Sequence, residues 1–124
     1  MVAHYTIEFA GTYVEIRVSG IPDRDSSVKM WRDAANACRD NDCRKILGIS
    51  MTERPIGLRD AIDYDSIFDE AGVTPEFRIA WVNENAAAEV MIRLIEEVLR
   101  NRKMVDARGF QDESEARRWL DEKD

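Results

Sequence analysis

Two hydroxyl groups near the middle of the chain are the first candidates for chemistry. Residues 45–60 read KILGISMTERPIGLRD, so Ser50 and Thr52 follow an apolar, strand-like run and precede a helix-like segment. A serine in this position could act as a nucleophile or accept a phosphate. However, the sequence around Ser50 is G-I-S-M-T and lacks the second glycine of the G-x-S-x-G nucleophile elbow. A serine hydrolase with Ser50 as its nucleophile is therefore a remote alternative.

Few other side chains could carry out catalysis or hold a metal. The single histidine, His4, lies near the N-terminus, and a catalytic histidine needs a positioned partner, so we interpret it as an exposed strand residue. Asp65 and Asp69 are one helical turn apart and could offer oxygen ligands to a divalent cation. A solvated acidic helix face explains them as well. We expect no metal, no cofactor and no catalytic residue.

The two cysteines are too few for a disulfide framework, and a zinc site would need further ligands. Cys38 falls on the apolar stripe of a predicted helix, so we expect a small core residue there. Cys43 is expected to be more exposed. A redox pair formed by these two thiols remains open as an alternative.

The bulk composition indicates a globular protein. The chain has 124 residues, of which 44% are hydrophobic and 35% are charged, and this length predicts a single domain spanning residues 1–124. The formal net charge of −7 disfavours nucleic acid and anionic membranes as partners. No apolar run is long enough for a transmembrane segment, and the start of the chain does not read as a signal peptide. We therefore expect a cytoplasmic protein with reduced cysteines.

Changes in hydrophobic periodicity predict nine elements in the order β-β-α-β-α-β-α-β-α. Strands separated by helices favour right-handed crossovers, so the sequence predicts an α/β fold. The five-stranded sheet should be mostly parallel, with an antiparallel first strand and with helices packed mainly on one face. The predicted strands are 5–9, 14–18, 45–51, 77–82 and 105–110. The predicted helices begin at Asp25 or Ser26, run from Leu58 to near Gly72, span 87–99, and follow Asp112.

Several side chains have assigned places within these elements. Asp112 and Glu115 have the spacing of a capping box. The three tryptophans, Trp31, Trp81 and Trp119, are expected in the core. Trp81 shares one face of its strand with Phe77 and Ile79, and an uncovered face there would indicate an interface. The basic residues Arg100, Arg102 and Lys103 end a helix, where cations complement its dipole.

Four segments together resemble the STAS domain superfamily, and in particular the bacterial SpoIIAA-like proteins. They are VEIRVSG at 14–20, ILGIS at 46–50, FRIAWVN at 77–83 and GFQDESEARRWL at 109–120. The resemblance implies a small, non-catalytic regulatory module that binds other proteins. Its best-known members are anti-sigma-factor antagonists, whose partner kinase phosphorylates a serine in an Asp-Ser-Ser-Gly-Leu type of loop. The resemblance thus implies a protein partner, such as an anti-sigma-type kinase, and a homodimer.

The chain departs from the family at the switch position. Gly57 and Leu58 match the Gly-Leu of that loop, which places Ile56 where the phosphorylated serine would stand. Because isoleucine cannot accept a phosphate, the switch itself is not carried over. The loop is still predicted to be a binding surface, with Arg54 and Arg59 as polar contacts. The predicted binding residues are Ser50, Thr52, Arg54, Ile56, Gly57, Leu58 and Arg59.

A different class of function, the carriage of a small apolar ligand, is the main alternative. Related folds resemble lipid-binding domains of the CRAL-TRIO type. A cleft between the second helix and the sheet, lined by Leu58, Ile62, Ile67 and Phe68, could then hold an acyl chain. Ile62, Phe68 and Trp81 are predicted to contact either such a ligand or a protein partner.

Overall fold

The computed structural model of the protein describes residues 3–52, 54–83, 85–102 and 105–122. Five strands and five α-helices alternate along these residues after an initial hairpin, and a short 3₁₀ turn at Ala86–Ala88 precedes the fourth helix. The strands are β1 (His4–Phe9), β2 (Val14–Gly20), β3 (Lys45–Thr52), β4 (Arg78–Asn83) and β5 (Asp106–Phe110). The helices are α1 (Arg24–Asp40), α2 (Leu58–Ile62), α3 (Tyr64–Ala71), α4 (Glu89–Asn101) and α5 (Glu113–Asp121).

The strands form one sheet in the order β1-β2-β3-β4-β5. β1 and β2 are an antiparallel hairpin, whereas β2, β3, β4 and β5 run parallel to one another. The α/β class, the mostly parallel sheet and the antiparallel first strand predicted from the sequence are confirmed. The parallel strands place their carboxyl ends at one edge of the sheet, which we call the carboxyl edge.

The two faces of the sheet carry separate apolar clusters. The larger cluster joins β2, β3 and β4 to side chains of α1, α3 and α4. The smaller cluster joins Leu47, Ile49, Ala80 and Val82 to Ala116 and Leu120 of α5. Helices therefore lie mainly on one face, as predicted. Ala80 and Val82 point to the opposite face of β4 from Trp81. This face is not an uncovered interface, because α5 covers it.

The first helix begins with a capping box formed by Asp23 and Ser26, whereas the sequence predicted a start at Asp25 or Ser26. The side chain of Asp23 accepts a hydrogen bond from the Ser26 backbone nitrogen at 2.8 Å, and the Ser26 hydroxyl accepts one from the Asp23 nitrogen at 3.1 Å. The helix begins at Arg24, just before the predicted start. At α5, Asp112 is the N-cap, and its side chain accepts a hydrogen bond from the Ser114 backbone nitrogen at 2.8 Å. The predicted capping box between Asp112 and Glu115 is therefore wrong, because Ser114 and not Glu115 is the bonding partner.

The predicted second helix is two helices. α2 ends at Ile62 and α3 begins at Tyr64, with Asp63 between them in a non-helical conformation. The break separates two orientations: Ile67 and Phe68 of α3 are buried, whereas Leu58 and Ile62 of α2 are more than half exposed. On one continuous helix, Leu58 and Ile62 would lie on a different side from Ile67 and Phe68, so the apolar pattern changes phase near Asp63.

The tryptophans differ in burial. Trp31 is buried, as expected, while Trp81 and Trp119 are only partly covered. Trp119 is stacked by the guanidinium of Arg78, whose carbon lies 3.5 Å from the ring centre. Cys38 is buried in the core as predicted, and Cys43 is intermediate rather than exposed. Within the described ranges, no helix has both the length and the apolar character that crossing a bilayer would require.

Candidate functional site

Helix α4 packs against the sheet less completely than its sequence suggests. Met91, Ile92, Leu94 and Ile95 contribute to its apolar stripe, yet each is only partly buried. Leu99 is the one residue of α4 that is buried, at 2% exposure. The space left between this helix and the sheet is the α4 cleft, and it consists of two neighbouring cavities.

The outer of these, the carboxyl-edge cavity, has a volume of about 70 Å³. Its walls come from the carboxyl ends of β2, β3 and β4, from the start of α1, from the β3–α2 loop and from α4. Its lining includes the side chains of Val18, Ser50, Thr52, Ile56, Tyr64, Trp81, Asn83, Met91, Ile92 and Ile95.

The inner cavity lies deeper along α4 and has a volume of about 60 Å³. It is lined by residues that include Phe68, Ile79, Leu99 and Gly109. Tyr64, Trp81, Ile92 and Ile95 line both cavities, so these four side chains form the wall between them. A rearrangement of this wall would join the two spaces into one apolar channel.

Two glycines shape the floor of the cleft. Gly48, Trp81 and Gly109 are aligned across β3, β4 and β5 in one register row. A Cβ atom at position 48 would overlap the indole ring of Trp81, and one at position 109 would overlap the Ile92 side chain. Because Gly48 has no side chain, the indole of Trp81 can lie over β3. Because Gly109 has none, α4 can approach β5. Glu96 fixes that approach by accepting a hydrogen bond from the Gly109 nitrogen at 2.7 Å.

A buried tyrosine gives the cleft a rigid polar anchor. The hydroxyl of Tyr64 accepts a hydrogen bond from Nε1 of Trp31 at 2.7 Å, and Tyr64 is 7% exposed. Burial raises the pKa of Tyr64 to about 12, although the bond from Trp31 opposes that shift. Trp31 and Phe68 pack edge to face, as do Tyr64 and Phe68, so the aromatic rings brace one another.

The polar part of the cleft is a row of side chains at the carboxyl edge. Val18, Ser50 and Asn83 are register partners on β2, β3 and β4, and all three line the outer cavity. The hydroxyls of Ser50 and Thr52 are 3.1 Å apart and share a hydrogen bond. The side-chain oxygen of Asn83, a residue only 7% exposed, accepts a hydrogen bond from the backbone nitrogen of Asn85 at 2.8 Å.

The structure brings together only part of the predicted binding loop. Ser50, Thr52 and Ile56 line the outer cavity, and so does Trp81. Phe68 is buried and lines the inner cavity. Arg54, Gly57, Leu58, Arg59 and Ile62 are exposed and outside both linings, so the cleft predicted between the second helix and the sheet lies instead beneath α4.

Sequence reasoning missed the side chains of α4 and Asn83 as site residues. The stripe containing Met91 and Ile95 was visible as helical periodicity, but periodicity does not indicate whether an opposing surface fills the space. Asn83 had a usable signal: it is a polar residue at the end of a buried parallel strand, where the ligands of α/β sheets commonly bind.

The other reactive side chains remain dispersed. His4 is exposed on β1, and a carboxylate oxygen of Asp65 is 3.5 Å from Arg102. Across the ranges that the structure describes, no group of three or more histidine, cysteine or acidic side chains is arranged to hold a metal. The predicted basic group keeps Arg100 and Arg102 on the surface at the end of α4, whereas Lys103 lies outside the described residues.

Exposed apolar side chains are found around the same edge. Met51, Leu58, Ile62 and Val90 are between 54% and 70% exposed. They stand on the end of β3, on α2 and on the first turn of α4, and α2 packs against α4. Leu58, Ile62 and Val90 are called the apolar rim; Met51 alternates with Ser50 along β3 and so shares a sheet face with Leu47 and Ile49.

Comparisons with known proteins point to the fold alone. No family model matches the sequence, and no curated protein matches it significantly. Among solved structures, the chain is similar to an uncharacterised protein of the DUF3478 family from Shewanella loihica PV-4, which is described as having a SpoIIAA-like fold. The identity is 17%, the TM-score is 0.55, and the match covers 95% of this chain and 93% of the other. The protein therefore has a SpoIIAA-like fold, as the resemblance of its sequence implied.

Proposed function

We propose that the protein is a non-catalytic binding module that holds a small apolar molecule in the α4 cleft. The observation that carries this proposal is the incomplete burial of the α4 stripe above two apolar cavities. Burying apolar surface against a ligand contributes about 25 cal/mol per Å², so a molecule that fills this space would gain most of its affinity there.

The size of the cleft limits the ligand. Each cavity is smaller than an engineered cavity of about 150 Å³ that accepts benzene. The two together approach that size if the wall of Tyr64, Trp81, Ile92 and Ile95 adjusts. A single ring or a short alkyl chain fits this space, whereas a full-length acyl chain would require α4 to move away from the sheet.

Methyl-detected NMR during a benzene titration tests the proposal. We expect saturable shifts confined to the methyl groups of Met91, Ile92 and Ile95, together with a rise in Tm, because a ligand that binds only the folded state stabilises it. The variant Ile95→Phe should fill the cleft and abolish the shifts. Val90→Phe is the matched control, because Val90 is on α4 but outside both linings.

Shifts that stay absent, or that spread over the surface without saturating, would count against an apolar-ligand site. Retained shifts in a folded Ile95→Phe variant would place the benzene elsewhere and lead to the same conclusion.

The apolar rim favours a second function, docking to another protein. Three large exposed apolar side chains on two helices that pack together are costly in water and commonly mark an interface. We propose a second copy of the chain as the occupant, because soluble oligomers are most often two-fold homodimers in which the same patch of both subunits meets. A different protein, such as the anti-sigma-type kinase implied by the resemblance, would be the alternative occupant.

Light scattering coupled to size-exclusion chromatography tests the dimer. We expect a mass that doubles with concentration and a Leu58→Glu variant that remains monomeric. Phe9→Glu is the control, because Phe9 is 42% exposed on a strand away from the rim. A wild-type chain that stays monomeric at about 100 µM overturns the dimer, because a stable interface binds more tightly than that.

A further inference from the structure

The polar row at the carboxyl edge defines the chemical class of the ligand, and this inference rests on the proposed apolar-ligand function. We infer that the ligand of the α4 cleft carries an uncharged acceptor head, such as the carbonyl oxygen of a ketone, ester or amide, which accepts a hydrogen bond from the side-chain amide of Asn83. The apolar tail would extend past Trp81 and Ile95 towards the inner cavity.

The amide of Asn83 is oriented by its own environment. Its oxygen is already the acceptor for the Asn85 backbone nitrogen, which donates at 2.8 Å. This bond identifies the oxygen and leaves Nδ2 as a donor of two hydrogen bonds. Asn83 is 7% exposed as a residue, and Nδ2 is not one of the fully buried side-chain atoms that lack a partner. No described residue accepts from Nδ2, so this donor is available at the cavity wall to a ligand that brings an acceptor.

Its neighbour in the row supports the same head group. Ser50 is directly opposite Asn83 in the β3–β4 register, and its hydroxyl shares a hydrogen bond with Thr52. One of these two hydroxyl hydrogens is used in that bond, and the other is free to reach a second lone pair on the same acceptor. Two donors converging on one oxygen suit a carbonyl better than they suit a donor head such as an amine.

Charge disfavours a fatty-acid anion within the outer cavity. No aspartate, glutamate, lysine or arginine is found among the described residues lining that cavity, although Asn83 also lines a separate surface pocket that contains Arg93 and Arg108. A carboxylate or ammonium head inside the outer cavity would lose its hydration without gaining a counter-ion, and unpaired burial of a charge is strongly unfavourable. The same row of donors is strong enough for a neutral carbonyl but does not compensate a full charge.

Three ligands of nearly equal size separate these possibilities: heptan-2-one, hexanoate and heptane. We would titrate each into the full-length protein at pH 8 and follow the methyl groups of Ile92 and Ile95 and the side-chain amide of Asn83 by NMR. Heptan-2-one should bind at least tenfold more tightly than either of the others. The Asn83 amide proton signals should shift with the ketone and remain still with heptane.

The variant Asn83→Asp retains the acceptor for Asn85 but removes the donor. It should weaken ketone binding at least tenfold more than heptane binding, because the added charge disfavours both ligands while only the ketone loses a hydrogen bond. Asn36→Asp makes the same chemical change on the exposed face of α1 and serves as the matched control.

Hexanoate binding that equals or exceeds ketone binding would overturn the inference. So would unchanged ketone affinity in a folded Asn83→Asp protein, and in both cases the cleft would remain an apolar-ligand site. If neither heptane nor heptan-2-one perturbs the α4 methyl groups, the proposed function itself fails, and the choice of head group fails with it.

Discussion

Helices α4 and α5 cover opposite faces of the same sheet, and they do so with very different completeness. α5 has 9 residues and buries Ala116 and Leu120 completely. α4 has 13 residues and the stronger apolar stripe, yet it buries only Leu99. The longer helix is thus the one that leaves space beneath it.

The difference arises from the strands rather than from the helices. α5 faces Leu47, Ile49, Ala80 and Val82, which fill the gap between the layers. α4 faces a row in which Gly48 and Gly109 stand on either side of Trp81. Protein interiors are normally close-packed. A row with one large indole between two glycines has an uneven surface, and the side chains of a regular helix do not fill the space above it.

α5 is also attached to the rest of the protein by more polar contacts than α4. α5 begins with the Asp112 cap, and Trp119 lies beneath the guanidinium of Arg78, which also donates to the Trp119 carbonyl at 2.7 Å. The N-cap residue of α4 is Ala88, which has no side chain able to cap the helix. α5 is therefore held more tightly to the sheet than α4, which agrees with the proposal that a ligand binds beneath α4.

The largest expected effect compares a truncation under each helix. Leu120→Ala removes a fully buried side chain of α5 and should lower the free energy of unfolding by about 3 kcal/mol. Ile95→Ala removes a partly exposed side chain beside existing cavities and should cost about 1 kcal/mol. Urea denaturation measures both. Equal losses would show that α4 is packed as tightly as α5 and would break the comparison.

A second test adds a methyl group to the floor of the cleft. Gly48→Ala should lower the free energy of unfolding by about 2 kcal/mol, because its Cβ would overlap the Trp81 ring. Gly57→Ala is the control, since a Cβ there meets no atom within 4 Å. Denaturation followed by tryptophan fluorescence compares the two. If Gly48→Ala is as well tolerated as the control, the Trp81 ring moves into the cleft at little cost in free energy, and the floor of the cleft is not rigid.

The titration of Tyr64 tests how well the α4 side excludes water. The folded pKa is about 12 and the reference value is 10.0, so folding favours the neutral phenol. The resulting stabilisation is complete below pH 10 and is lost as the pH rises from 10 towards 12, amounting to about 1.4 kcal/mol by pH 11. Urea denaturation at pH 9 and pH 11 should show this loss. Tyr64→Phe should show a correspondingly smaller decrease, and an identical decrease would mean that the cleft is wet.

The smallest expected effect concerns the helix caps. Asp112→Ala should lower the free energy of unfolding by about 1 kcal/mol, because the Ser114 nitrogen loses its acceptor. Asp121→Ala at the other end of α5 should not be destabilising, since an acidic side chain there opposes the helix dipole. Thermal denaturation monitored by circular dichroism is sufficient. A neutral Asp112→Ala would show that packing alone fixes α5.

The order of elements and the hairpin were predictable because they depend on local periodicity. Alternation in β1 and β2, the short run from Lys45 and the stripe of α4 each report on a few neighbouring residues. The break at Asp63 was not predictable in this way. Apolar residues occur on both sides of Asp63 and were assigned to one helix, whereas Ile62 is exposed on α2 and Ile67 is buried on α3.

The candidate site was predictable only in part. Ser50, Thr52 and Ile56 were identified because they are in the loop after the middle strand, and this loop does reach the outer cavity. Asn83 and Ile95 belong to the same cavity through β4 and α4, which are distant in sequence from that loop. Their proximity follows from strand register and helix placement, which no single segment encodes.

The sequence by itself determined the α/β architecture, the antiparallel start of the sheet and the likeness to SpoIIAA-like proteins. The first two follow from local patterns of apolar residues, which differ in period between strands and helices, and the likeness comes from the four resembling segments at 14–20, 46–50, 77–83 and 109–120. Only the tertiary structure determined where the cavities of the α4 cleft lie. Whether Gly48 and Gly109 flank Trp81 depends on the register of three strands, and whether α4 fills the resulting gap depends on the position at which Glu96 and Leu99 hold it. An unfilled cavity is a property of several elements packed together, so it has no counterpart in any one stretch of sequence.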